Sequence, residues 1–303
     1  MLGATLHARS CYAFFMHPFL LMYLATLPAL LIGTAILHLL PRLGSPGRAV
    51  SEWLCRAPGL DVMVTYFTML PLIAGPIVAA QVSEVPYAAA WGFLGAYLGQ
   101  LSTIVLWSWM HEAANRKHLR GPRIVGVLNQ KIGRVRNHVG LWVMTAAVPV
   151  FWIVRACEII TWPLISRICK LPRYNEGEWV NCSRQKFEGL VGHDLIWCLY
   201  CDWMTGVWSL GTEMLRNIES FYCPIRFYHD KKCENCKIDF PDADVWVPAN
   251  GTMKDVTDLL DAAYDGKNNT WLGHPARTAT VTVNGKEIKV MPGGSATNSQ
   301  MNT

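Results

Sequence analysis

Residues 189–240, GLVGHDLIWCLYCDWMTGVWSLGTEMLRNIESFYCPIRFYHDKKCENCKIDF, decide how the chain reads. The stretch joins an apolar, Trp-rich run holding His193, Asp194, Cys198, Cys201 and Asp202 to a polar segment holding Cys223, His229, Cys233 and Cys236. N-terminal to it lie long apolar runs, and C-terminal to it the chain is polar. The expected fold is mainly α: a polytopic helical membrane bundle, a Cys-rich segment and a small C-terminal α+β domain.

Working outward towards the N-terminus, apolar runs cover about 18–40, 60–82, 87–110 and 139–165. Each reaches the ~20 residues that a helix rising 1.5 Å per residue needs to cross ~30 Å of hydrocarbon. Hydrophobic residues make up 51% of the 303, charged residues only 16%, and there are 13 Trp, which together argue against an all-soluble core. Pro28 lies in the first run and Pro71 and Pro76 in the second, where a kink is expected. Gly92, Gly95 and Gly99 lie in the third, and the four-residue step from Gly95 to Gly99 suits close helix packing in lipid. Arg155 and Glu158, three apart in the fourth, share a helical face and can neutralise each other. Residues 1–17 contain no small-residue cleavage site, so no cleaved signal peptide is expected.

The net charge of +5 is unevenly placed: seven Lys or Arg fall between Arg116 and Arg136. A cytoplasmic loop obeying the positive-inside bias accounts for them. No Phe, Trp or Tyr interleaves them, which removes the stacking platform of a single-strand binder, and no nucleic-acid partner is expected. Ile124, Val125, Val127, Leu128, Ile132 and Val135 in the same loop suit a helix lying in the membrane interface. With the loops after the first and third spans cytoplasmic, and a fifth crossing within about 189–211, the C-terminal domain is also cytoplasmic.

The resulting domain plan has four parts: a bundle of about four spans over 1–165; a polar link, a fifth apolar or interfacial helix and the Cys-rich metal segment over 166–240; a small polar α+β domain over 241–291; and a disordered tail over 292–303. Within the third part, Val256, Leu259, Leu260 and Ala263 share one face of a helix expected at 253–264. Alternation over 278–290 around Asn284–Gly285 gives a hairpin signal.

On a helix with His193 at zero, Cys201, Asp194, Thr205, Cys198 and Asp202 fall at about 80°, 100°, 120°, 140° and 180°. Leu195, Leu199, Trp203 and Leu210 occupy the other half. Two readings of this arc stand: a functional site facing a bundle interior or cavity, with His193, Asp194 and Asp202 as catalytic candidates, or the hydrated face of a surface helix.

The cysteines add a metal expectation. Cys198-x-x-Cys201 and Cys233-x-x-Cys236 could complete a tetrahedral four-sulfur site, and Cys223, His229, Cys233 and Cys236 form a more compact set. Zinc suits either set, and iron or an iron–sulfur cluster suits four cysteines. A second metal option joins His111, Glu112, His118 and His138 with His193 and Asp194 as a non-haem iron or zinc site. A phosphate-binding glycine loop, a GxSxG elbow and a CxxCH haem site are absent from the sequence. Two functions of different class follow: a non-catalytic subunit or accessory factor of a membrane complex, partnered by lipid and other membrane subunits, or a membrane-embedded metal-dependent oxidoreductase or hydroxylase using the polar arc.

Overall fold

Pro18 opens the first helix, α1 (Pro18–Leu39), at the position where a missing N–H costs nothing, and the His17 ring accepts from the Phe19 amide at 3.3 Å. A short 3-10 turn leads into α2 (Gly44–Leu54). The computed structural model describes residues 17–119, 121–226, 246–248, 250–264, 279–283 and 286–290. His229, Cys233, Cys236 and the tail expected at 292–303 lie outside them.

Helix α3 (Gly59–Val64) passes through a π turn at Thr65–Met69 into α4 (Leu70–Val82), and α5 runs over Ala88–Ala114. After the basic loop come α6 (Ile124–Ile132), α7 (Arg134–Thr145), α8 (Val148–Ala156), a π turn at Cys157–Thr161 and α9 (Trp162–Cys169). The short α10 (Glu176–Trp179) precedes the 30-residue α11 (His193–Tyr222). Then follow β1 (Ile225–Arg226), β2 (Val247–Pro248), α12 (Met253–Ala263), β3 (Ala279–Val283) and β4 (Lys286–Val290). β1 and β2 pair in parallel; β3 and β4 pair antiparallel with Val283 opposite Lys286, so the connection is the two-residue Asn284–Gly285. Thr252 and Asp255 form a capping box at the start of α12.

The chain is mainly helical. Among the described residues, four helical stretches are long and apolar enough to cross a membrane: Pro18–Leu54, Gly59–Val82, Ala88–Ala114 and Arg134–Cys169.

Contacts divide the chain into two compact units. The first comprises the residues up to Thr145 together with Glu176–Thr205; the second comprises Ala146–Asn175 and the residues from Gly206 onward. In the first unit the glycines of α5 let neighbouring helices approach closely. A Cβ on Gly92 would lie 2.5 Å from the Gly75 carbonyl oxygen, and one on Gly95 would lie 2.2 Å from that of Phe19. Such backbone approach is how helices associate in lipid, where apolar burial gives no driving force. Pro71 offers no N–H to the carbonyl of Phe67 four residues back. The buried Gln100 amide on α5 donates to Phe67 O and Thr68 O, at 2.8 Å each, satisfying the carbonyls around the π turn.

In the second unit α8 and α9 lie against the C-terminal part of α11: Gly211 faces Val154 and Glu158, and Phe151 meets Trp208. Arg155 Nη1 donates to Glu158 Oε2 at 2.8 Å, with the two side chains 0% and 2% exposed. Glu213, also buried, accepts from Arg216 at 2.7 Å and from the Tyr174 hydroxyl at 3.3 Å.

Candidate functional site: a polar staple at one end of the first unit

Gly192 takes φ +57 immediately before α11, and a Cβ there would lie 2.3 Å from Glu112 side-chain atoms. Glycine therefore lets the last turn of α5 meet the first turn of α11. The Gly192 amide donates to His111 Nδ1 at 3.0 Å and the His193 amide to Glu112 Oε1 at 3.3 Å. Two side chains from α5 thus supply acceptors to amides that α11 cannot bond internally.

Asp194 returns the favour to α6. It accepts from the Ile124 amide at 3.1 Å and the Val125 amide at 3.3 Å, which places a carboxylate at the positive end of that helix. Arg123 lies between the two acids. Its Nη2 donates to Glu112 at 2.9 Å and to the Val191 carbonyl at 3.0 Å, and its Nε donates to Asp194 at 3.0 Å. Burial pushes the Asp194 carboxyl up, but the His193 imidazole 3.8 Å away, the hydrogen bond and charge of the Arg123 guanidinium and the Val125 amide outweigh it and hold the group below the usual value.

One turn on, the Trp197 indole donates to His193 Nε2 at 3.0 Å, so that nitrogen is an acceptor and not a free base. Asp202 accepts from the Ser183 and Arg184 amides at 3.1 and 3.0 Å and from Arg184 Nε at 2.7 Å. The fully buried Trp203 indole donates to the buried Asp61 of α3 at 3.1 Å. Hence α11 touches the last turn of α5 at Gly192–His193 and the first turn of α3 at Trp203. Because α5 and α4 pack antiparallel through Gly92 and Gly75, those turns lie at the same end of the unit.

In the apolar half of α11, Leu195, Trp203 and Leu210 are 8%, 0% and 0% exposed, and Asp194 of the polar arc is buried as well. The polar arc faces Arg123 with the first turn of α6, and residues 183–184. Cys198 and Cys201 are half-buried; Cys201 Sγ lies 3.8 Å from Thr205 Oγ1, and burial pushes the Cys198 thiol up in spite of Arg184 beside it. Among the described residues no three His, Cys, Asp or Glu side chains gather as a metal ion would require. Cys223 is described and exposed, but its proposed co-ligands His229, Cys233 and Cys236 lie outside the described residues.

The histidines of the second metal option meet aromatic rings and backbone instead. His111 stacks on Trp107 at 4.6 Å and on His38 at 5.4 Å, while His138 meets His193 edge-on at 5.9 Å. His118 lies 3.7 Å from Glu188. Sequence reasoning missed Arg123, Arg184, Asp61 and Gly192. The partners Asp194–Arg123 and Trp203–Asp61 are 71 and 142 residues apart, and no local pattern couples them. Comparison with known protein families, curated proteins and solved structures gave no match.

Proposed function

We propose that the chain is a multi-pass integral membrane protein acting as a non-catalytic subunit or accessory factor of a membrane complex. The observation that supports this reading is the condition of the polar arc. Asp194 and Asp202 each accept two backbone amides and one guanidinium, and His193 Nε2 accepts an indole N–H. Groups engaged in this way hold loops in place; a general acid or base needs an open face towards substrate. In this reading the stapled end, next to the basic loop, is cytoplasmic.

The same reading places a structural zinc at Cys223, His229, Cys233 and Cys236, with a small cytoplasmic α+β domain behind it. Lys231, Lys232 and Lys237 beside the set would offset thiolate charge. Elemental analysis with an optical spectrum on detergent-purified protein tests the zinc. About one zinc per chain without visible absorption is the expected result. Iron with visible bands would instead favour a metal-dependent oxidoreductase, and absence of metal would remove the zinc from the account.

A further inference from the structure

We infer that the outer face of α6 and the first turn of α7 docks on the anionic phospholipid headgroups of the leaflet at the stapled end of the first unit. The inference rests on the membrane reading above and adds the chemistry of the surface. Position is the first argument. Asp194 holds the α6 amides, and Arg123, the residue before α6, is fastened to Glu112 in the last turn of α5. Helix α6 therefore begins where a membrane-length helix ends, which is headgroup level in the membrane reading.

The second argument is the exposed face itself. Ile124 and Ile132 are 50% and 49% exposed, and Leu128 lies between them on the same stripe. The stripe resumes in the first turn of α7 at Val135, which is 75% exposed. Gly133, at φ +89, makes the bend between the two helices. The Asn137 amide donates to Asn129 Oδ1 at 2.9 Å on the inner side, holding the two helices together while their outer faces stay apolar.

Charge selects the occupant. Lys131, Arg134 and Arg136 are exposed along this stripe, Arg116 and Lys117 are exposed just before it, and no Asp or Glu occurs between Arg116 and Arg136. An aliphatic stripe flanked only by cations matches a surface with an apolar interior and an anionic face. A second copy of this face would set like charges against each other. A nucleic acid would leave the aliphatic stripe in water.

Full-length protein in nanodiscs of phosphatidylcholine alone, or with about one-third phosphatidylglycerol, provides the test through hydrogen exchange of residues 124–136. Anionic lipid should slow exchange there by about tenfold, and the triple substitution Lys131→Gln, Arg134→Gln, Arg136→Gln should abolish that slowing. Equal exchange of the wild type in the two membranes overturns the inference, whatever the variant does. So does slowing that the variant retains. Failure of the wild type to enter nanodiscs at all would instead overturn the membrane reading on which the inference rests.

Discussion

Asp194 and Glu213 show how acidic side chains are driven in opposite directions by their surroundings. The Asp194 carboxyl is held below its usual value, so its contribution to stability is present above the unfolded value of about 3.9 and is lost as pH falls through the folded one. Glu213 is 3% exposed, and burial pushes it up to about 7 against the opposing effects of Arg216, Tyr174 and Asn217. Its folded state binds a proton that the unfolded chain releases, so stability from this group is full below pH 4.5 and falls as pH rises through about 7. The loss is roughly 3–4 kcal/mol at most, since each tenfold change in proton affinity is worth ~1.4 kcal/mol. Thermal unfolding in detergent across pH 4.5–7.5 should show this decline, and Glu213→Gln should flatten it. A variant whose profile matches the wild type would show that another group is responsible.

At the scale of the element, the glycines of α5 are the sharpest test of the packing. Gly92→Leu places a side chain where a Cβ alone would lie 2.3 Å from the Ala79 Cβ, and should cost about 1–3 kcal/mol or more, read as lower abundance and a lower unfolding midpoint. Gly140 on α7 is exposed, and a Cβ added there would meet nothing within 4 Å, so Gly140→Ala should be neutral or stabilise by up to ~1 kcal/mol. Gln100→Leu should cost about 1–3 kcal/mol by stranding the carbonyls near Pro71, and adding Pro71→Ala should recover part of the loss, because the restored N–H can serve Phe67. An additive double variant would contradict the role assigned to Gln100.

Much of this was legible in the sequence. Span-length runs, the small-residue spacing on α5, the Arg155–Glu158 pair and the two-residue connection between β3 and β4 follow from local periodicity and turn chemistry. The π turn before Pro71 depends on a side chain 33 residues away in Gln100, and the staple depends on partners farther still. The helical arc itself was correctly ordered from spacing. Which half would face inward was not, because that is set by Asp61, Arg123 and Arg184, none of which lies on α11.

At the scale of the whole molecule, the proposed reading puts the stapled end, with the basic loop beside it, in the cytoplasm. A membrane-impermeant amine reagent should label Lys117 and Lys131 only after the membrane is permeabilised; labelling in intact cells would invert the orientation. The central claim, however, is that the polar arc holds the fold together and performs no chemistry. Catalytic groups are commonly neutral to stability, or their removal raises it, whereas a carboxylate that serves two amides and a guanidinium should be missed. The most direct measurement is the thermal unfolding midpoint of detergent-purified Asp194→Asn and Asp202→Asn beside the wild type. The account predicts that both midpoints fall, Asp194→Asn the further, since its guanidinium partner Arg123 is 24% exposed and Arg184 is 42% exposed. Midpoints equal to or above the wild type in both variants would contradict it.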